Sequence, residues 1–120
     1  MLLNVATSAR EPGILVIELS GRIVLGRESS HLEDLVEKAI ADGARNIVMD
    51  LAGIHVVDSS GIGIITLCFG RLSNLGGRFC VAGATGKVLD ILKMARLDSI
   101  MPFAASVDEA CALPGKAGLN

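Results

Sequence analysis

The sequence predicts an α/β domain built on a mixed, mostly parallel β-sheet of four to five strands with helices packed against it. Short apolar runs of the kind that form buried strands alternate along the chain with longer segments of helical periodicity. The first two β-type runs lie on either side of Pro12-Gly13, a turn signal that favours an antiparallel hairpin. A hairpin followed by alternating helices and strands gives a sheet of mixed direction with helical cover.

The length of 120 residues fits one domain with its own core, and we assign it to residues 1–114, with 115–120 as a flexible C-terminal tail. The chain is apolar, with a mean hydropathy of +0.57. Its best apolar run, Ile62 to Gly70, is nonetheless far shorter than the roughly 20 residues that span a membrane. No basic stretch precedes an apolar one at the N-terminus, so we expect no secretory signal and a cytoplasmic protein.

Charge, aromatic content and cysteine spacing disfavour nucleic-acid binding and metal binding. The net charge is −2, there is no Trp or Tyr, and only three Phe are present, which disfavours direct binding of nucleic acid. Cys68, Cys80 and Cys111 are odd in number and far apart in apolar contexts. We therefore interpret them as reduced core residues, and we expect no metal site.

The first part of the chain contains two predicted strands and one helix. Leu3 to Ala9 and Ile14 to Leu19 form the hairpin, and Ser20 to Glu28 is interpreted as a turn plus a short irregular or edge segment. Ser30 and Glu33 have the spacing of a capping box that begins a helix. The helix ends near Gly43, and its apolar residues recur at the spacing of one face: Leu32, Leu35, Val36, Ala39 and Ile40.

The second part alternates strands and helices. Ile47 to Leu51 is a β-rich run with few polar positions, which indicates a strand covered on at least one face. A largely apolar helix follows from about Ser59 to Leu75 and ends at Gly76-Gly77. The remaining predicted elements are a buried strand at Phe79–Gly83, a helix from Thr85 or Gly86 to about Leu97, a short strand at Ile100–Phe103 and a helix beginning at Ser106–Glu109 and ending near Pro114. Pro102 indicates that the short strand lies at an edge or at an irregular place.

The sequence Asp58-Ser59-Ser60-Gly61-Ile62-Gly63 marks a helix start inside this domain. Asp58 is expected to cap free N–H groups of the first turn, so that Ser59 stands at the positive end of the helix. A serine in that place has two plausible roles. It can be a structural hydroxyl, or it can be a site where a phosphate is added and removed.

These six residues resemble the D-S-S-G-L/I-G signature of STAS domains, and specifically of bacterial anti-sigma factor antagonists. The order of predicted elements matches that family over roughly residues 2–113. The resemblance implies a STAS fold and phosphorylation of Ser59, with Ser60 as the less favoured hydroxyl. The implied partner-binding residues are Asp58, Ser59, Ser60, Gly61, Ile62, Arg22 and Val24.

The resemblance also implies a cycle of partner exchange. The unmodified protein binds an anti-sigma factor that is also a serine kinase and thereby frees a sigma factor. The kinase then phosphorylates Ser59 and the complex weakens, and a separate phosphatase resets the cycle. ATP and Mg²⁺ belong to the kinase, so this chain is expected to carry no cofactor and to be no enzyme.

Electrostatics constrains what the modification does. A phosphate adds about −1.5 to −2 charge at pH 7, and a helix N-terminus favours an anion. The neighbouring Asp58 opposes it, so the net local effect is expected to be small. We therefore predict that phosphorylation changes partner binding and leaves the domain folded.

One segment departs from the family pattern. Many antagonists carry an acid at the end of a G-x-L-D stretch near the partner surface, and here Gly21-Arg22-Ile23-Val24 places a valine in that position. Glu28 is a candidate substitute. The departure keeps open a second interpretation, namely a non-phosphorylated STAS subunit of a stressosome-type scaffold or a transporter-associated regulator.

Two catalytic alternatives are disfavoured by spacing. His55, Asp58 and Ser59 are the residue types of a hydrolytic triad, but within five positions they can hardly place the imidazole between the other two. The segment Gly83-Ala84-Thr85-Gly86-Lys87 lacks the spacing of a phosphate-binding loop and the hydroxyl after its lysine. We expect Gly83 to make a turn at the end of a strand and Lys87 to be a solvated residue of a first helical turn.

Overall fold

The structure, a computed structural model, describes residues 3–112. In this part of the chain one sheet contains five strands in the order β1 (Asn4–Arg10), β2 (Ile14–Ile23), β3 (Asn46–Val57), β4 (Arg78–Ala82) and β5 (Phe103–Ala104). β1 pairs antiparallel with β2, and every other neighbouring pair is parallel. The helices are α1 (Arg27–Ala41), α2 (Ser59–Asn74), α3 (Gly86–Met94) and α4 (Val107–Cys111). The predicted mixed, mostly parallel sheet is confirmed, and the tail assigned to residues 115–120 lies outside the described residues.

The two faces of the sheet carry unequal helical cover. On one face α1, α2 and α3 enclose the main core, to which β3 contributes Ile47, Met49 and Leu51. On the other face the short α4 covers a smaller cluster that includes Val48 and Ala110. Successive residues of β3 therefore enter different clusters, as the period-two alternation of a strand requires. Because this strand is buried on both faces, its sequence is an almost continuous apolar run.

The predicted hairpin is confirmed, but the prediction of a turn and a short irregular or edge segment after it is wrong. β2 continues through Ile23 and lies between β1 and β3, in the interior of the sheet and not at an edge. Its pairing with β3 is irregular between Glu18 and Ser20 and again between Gly21 and Arg22, and Gly21 has φ of 103°. Gly21, which indicated a turn, thus lies inside a longer strand, at an irregularity in its pairing with β3.

The predicted capping box is also wrong. α1 begins at Arg27 behind Gly26, and no side chain caps it. Ser30 lies inside the first turn, where its hydroxyl donates to the carbonyl of Gly26 at 3.4 Å. The hydroxyl of Ser29 likewise donates to the carbonyl of Val24. Both serines therefore bond carbonyl groups of the preceding loop, and the helix begins a turn earlier than the capping signal suggested.

Several other boundaries differ from prediction. β3 is longer than the predicted Ile47–Leu51 because its second half continues to pair with the extension of β2. α3 ends at Met94, and Leu97 begins a separate 3₁₀ turn. The last strand is Phe103–Ala104 and lies at the edge of the sheet, as Pro102 indicated. Ser106 caps α4 by accepting from the N–H of Glu109 at 3.1 Å, which confirms that helix start.

The cysteines are free thiols within the fold. Burial raises the pKa of Cys68 to about 12 and that of Cys80 to about 11, so both remain protonated and unreactive at neutral pH. Cys111 is half-buried beside the α4 cluster. Among residues 3–112 no group of three or more His, Cys, Asp or Glu side chains is placed to hold a metal ion. No helix in the same range has the length and apolar character needed to cross a membrane.

Candidate functional site

The Asp58 segment lies where the carboxyl ends of two central parallel strands meet. β3 ends at Val57, and α2 begins at Ser59. The N–H of Asp58, between these elements, donates to the carbonyl of Ile23 at the end of β2, at 3.2 Å. The loop that follows β2 therefore passes directly beside the first turn of α2. Loops at the carboxyl ends of parallel strands are the usual location of sites in such sheets.

The carboxylate of Asp58 joins the helix start to this loop. One oxygen, Oδ1, accepts from the N–H of Gly61 at 3.0 Å, which confirms the predicted N-cap. The other oxygen, Oδ2, accepts from the N–H of Leu25 at 3.0 Å. The hydrogen bond from Leu25, followed by that from Gly61, holds the pKa of Asp58 below its ordinary value of 3.8. At neutral pH this carboxylate is ionised and committed to backbone contacts.

Ser59 is the residue that this arrangement presents to solvent. It is the first residue of α2 and is exposed, whereas Ser60 is half-buried. The N–H groups of both residues belong to the first turn and have no acceptor within the helix. An anion attached to the hydroxyl of Ser59 would therefore find backbone donors nearby. Exposure favours Ser59 over Ser60 as the hydroxyl that another protein can reach.

Gly61 allows α2 to approach the sheet closely. A Cβ atom at this position would lie 2.5 Å from the carbonyl oxygen of Ile23 and 2.9 Å from Cγ1 of Val57. No side chain fits there without moving backbone. Gly63, two residues later, has no such neighbour within 4 Å. The first glycine of the motif is thus required by packing, and the second is not.

The other predicted site residues lie around this corner. Ile62 is half-buried and packs against the main core. Val24 is half-buried in the loop after β2, and Arg22 is exposed near the end of that strand, opposite Val56. Glu28 lies in the first turn of α1, and its Oε1 is 3.7 Å from the place where Gly26 would carry a Cβ atom. Its carboxylate is therefore close to the loop that Asp58 holds.

Leu25 was missed by sequence reasoning. Its side chain is 81% exposed, although its own N–H is fixed by Asp58. The available signal is an apolar residue between Val24 and Gly26, in a segment that the sequence predicts to be a turn plus a short irregular or edge segment. We use the name Ser59 corner for Val24, Leu25 and residues 58–62. This corner combines one exposed hydroxyl, one ionised carboxylate and an exposed apolar side chain.

The geometry does not form the catalytic sites considered above. Among the described residues, the Asp58 carboxylate is hydrogen-bonded to backbone amides and not to His55. Gly83 makes a turn after β4 with φ of +74°, and its N–H donates to the carbonyl of Ala104 at 3.0 Å. That donor is consequently not free to hold a phosphate. Lys87 is exposed in the first turn of α3, as predicted.

Comparisons with known proteins agree with this architecture. The family model described as STAS domain matches residues 6–110. The anti-sigma F factor antagonist of Paenibacillus polymyxa is 28% identical over 96 residues, which cover 76% of this chain and 78% of that protein.

Two solved structures share the fold. An anti-sigma factor antagonist from Mycobacterium paratuberculosis superposes with a TM-score of 0.80 at 23% identity and covers 91% of each chain. The phosphorylated form of the Bacillus cell fate determinant SpoIIAA superposes with a TM-score of 0.72 at 20% identity, covering 90% of this chain and 96% of that one. The mixed sheet and its helices are therefore the architecture of these proteins.

The two glycines of the motif should respond oppositely to alanine. Gly61→Ala places a methyl group against the Ile23 carbonyl and should lower the free energy of unfolding by about 1–3 kcal/mol. Gly63→Ala is the matched control, because it adds helix propensity in open space and should raise the free energy of unfolding by about 0.5–1 kcal/mol. Urea denaturation measures both values. Equal effects of the two substitutions would contradict the close packing of α2 on β2.

Acid should selectively weaken the contribution of Asp58. Its pKa is lower in the folded state than the ordinary 3.8, so its stabilising contribution is present above that pH and is lost as the pH falls through the folded value. Urea unfolding from about pH 7 to about pH 3 should show wild type and Asp58→Asn converging as the pH falls. Asp34→Asn, at an exposed position of α1, controls for the loss of one charge. A stability difference between wild type and Asp58→Asn that does not change with pH would contradict this role.

Proposed function

Because this chain belongs to the STAS-domain family, we propose that it is an anti-sigma factor antagonist whose binding is switched by phosphorylation of Ser59. In its unmodified form it would bind an anti-sigma factor and so leave a sigma factor free to direct transcription. The observation that carries the proposal is the exposed Ser59 hydroxyl at the N-terminus of α2, on a corner fixed by Asp58. A relative named as such an antagonist and a neighbour solved in a phosphorylated form support it.

In this proposal the chain supplies only the nucleophile. The Ser59 oxygen attacks the γ-phosphorus of ATP held by the partner, the bond from that phosphorus to the bridging oxygen of ADP breaks, and ADP leaves. We assign the proton of the hydroxyl to a base of the partner, because the backbone N–H groups that lower the pKa of Asp58 make its carboxylate a weak base. The partner is therefore an anti-sigma factor with serine kinase activity that brings its own ATP and Mg²⁺. A phosphatase would hydrolyse the phosphate to restore the serine.

The added charge would act on the complex and not on the fold. A phosphate of about −1.5 to −2 charge next to ionised Asp58 gives the corner about three negative charges in all. The positive end of α2 and the first-turn N–H groups that Asp58 does not use offset part of the repulsion within this chain. In a complex the same charge would have to be desolvated against the partner surface, which is costly. The modification thus lowers affinity without removing the contacts that hold the corner.

Leu25 gives this surface an apolar component. It is 81% exposed, and its N–H contacts Asp58, the residue before Ser59; half-buried Val24 stands where many antagonists have an acid. We infer that the partner meets this loop with an apolar pocket and that Leu25 fills it. Residues that enter a desolvated pocket at the centre of an interface contribute most of its binding energy.

Phosphate transfer should depend on Ser59 alone. With the partner kinase and ATP, mass spectrometry should find the phosphate on Ser59, and Ser59→Ala should remain unmodified. Ser60→Ala is the matched control and should be phosphorylated like wild type. Modification elsewhere, with Ser59→Ala binding and releasing the partner as wild type does, would defeat the proposal. No modification of the wild type at all would favour a non-phosphorylated scaffold subunit.

A permanent charge at Ser59 should separate binding from folding. Ser59→Asp should weaken affinity for the anti-sigma factor at least about tenfold, which is about 1.4 kcal/mol. Its melting temperature should stay within about 5 °C of wild type, because Ser59 is exposed and a first-turn acid is favourable. Calorimetric titration and thermal unfolding measure the two quantities. Unfolding of the variant would contradict the account of the helix start.

Truncation of Leu25 tests the apolar contact. Leu25→Ala should weaken partner binding at least about tenfold and leave stability unchanged, because the side chain buries little in the free protein. Met94→Ala is the matched control, since Met94 is 82% exposed at the far end of α3. Its affinity should equal that of wild type. Equal losses for the two variants, or no loss for Leu25→Ala, would rule out a pocket for this side chain.

A further inference from the structure

β1 leaves one edge of the sheet open. It pairs with β2 alone among the described strands, and all seven of its residues are exposed. The backbone N–H and C=O groups on its outer side are therefore available to another strand. This edge uses no residue of the Ser59 corner.

The two edges of the sheet differ in their protection. The opposite edge strand, β5, has two residues and follows Pro102, both of which discourage pairing with another chain. From Asn4 to Ala9, β1 has no charged residue and no proline. Its register with β2 is continuous over the whole strand, without a bulge. β1 thus lacks the devices that usually keep an edge strand monomeric.

We propose that β1 is a homodimer interface, in which β1 of a second copy pairs antiparallel with it about a two-fold axis at Thr7. This register opposes Thr7 to itself and Asn4 to Arg10 of the second copy, and it uses all seven residues of both strands. Ala6 then faces Ser8 of the second copy, and both side chains are small. The contact is isologous, so each feature occurs twice in the dimer.

Charge complementarity favours a second copy as the occupant. Glu18 of β2 and Asp50 of β3 are register partners, so two carboxylates stand side by side on the α4 face. They line an open cleft that begins at β1, with Asn4 and Ala6 on its near side. Because Arg10 of the second copy is placed opposite Asn4, its side chain can extend into this cleft and neutralise the carboxylates.

Arg10 is free to make this contact at little cost. In the single chain its guanidinium donates to Asp108 at 2.9 Å, and the side chains of Arg10 and Asp108 are 44% and 84% exposed. Such a surface pair contributes little to stability. In the dimer Arg10 would exchange one exposed carboxylate for two that lie inside a cleft. The paired area is small, so we expect a dissociation constant of about 10–100 µM.

Substitution at the two-fold axis tests the proposed contact. Sedimentation equilibrium should show wild type passing from monomer to dimer as concentration rises. Thr7→Lys sets two like charges against each other at the axis and should weaken the dimer at least about tenfold. Thr7→Val keeps the pairing and should dimerise like wild type. Because Thr7 is exposed, circular dichroism should show both variants folded.

A charge exchange tests the role of Arg10. Arg10→Glu and Glu18→Arg should each weaken the dimer at least about fivefold, and the double variant should restore it. If the double variant regains the dimer affinity of wild type, the weakening by Arg10→Glu cannot be due only to loss of its contact with Asp108. A wild type that stays monomeric, equal association of Thr7→Lys and Thr7→Val, or a double variant no tighter than the single ones would overturn the proposal. If the wild type is monomeric, the β1 edge would be available only for pairing with a strand of another protein.

Discussion

The carboxylate of Asp58 accepts one hydrogen bond from the loop after β2 and one from the first turn of α2, and the position of Ser59 depends on this pair of contacts. A backbone bond from Asp58 to Ile23 adds a third attachment at the same point. Gly61 then lets the helix pack against that strand without a gap. Ser59 is thus an exposed residue on a corner whose surroundings are held by backbone contacts. In the proposed switch, this corner would change its charge while keeping its backbone contacts.

Much of this could be inferred from sequence because the responsible signals are local. Asp58 precedes an apolar helical pattern, so its role as a cap follows from helix chemistry alone. The hairpin follows from Pro12-Gly13 between two β-type runs, and the β-rich run Ile47–Leu51, with few polar positions, indicates a strand covered on at least one face. The resemblance of residues 58–63 to a known signature supplied the family, which the match over residues 6–110 confirms.

What could not be inferred depends on pairing between distant residues. The irregular register that keeps Gly21 within β2 arises only when β3 is beside it, and a glycine read alone indicates a turn. Ser30 and Glu33 have the spacing of a capping box. The helix nevertheless begins at Arg27, so Ser30 lies inside its first turn and its hydroxyl donates to the carbonyl of Gly26. Leu25 is placed at the site by a hydrogen bond to Asp58, a residue 33 positions later in the chain, and no local sequence signal indicates that contact.

The most direct test of this account is an NMR comparison of amide hydrogen exchange in the unmodified and the Ser59-phosphorylated protein. The amides of Leu25 and Gly61 should keep their protection when the phosphate is present, while affinity for the anti-sigma factor falls. Loss of protection at these two amides on phosphorylation would show that the charge rebuilds the corner, and it would contradict a switch that acts through binding alone.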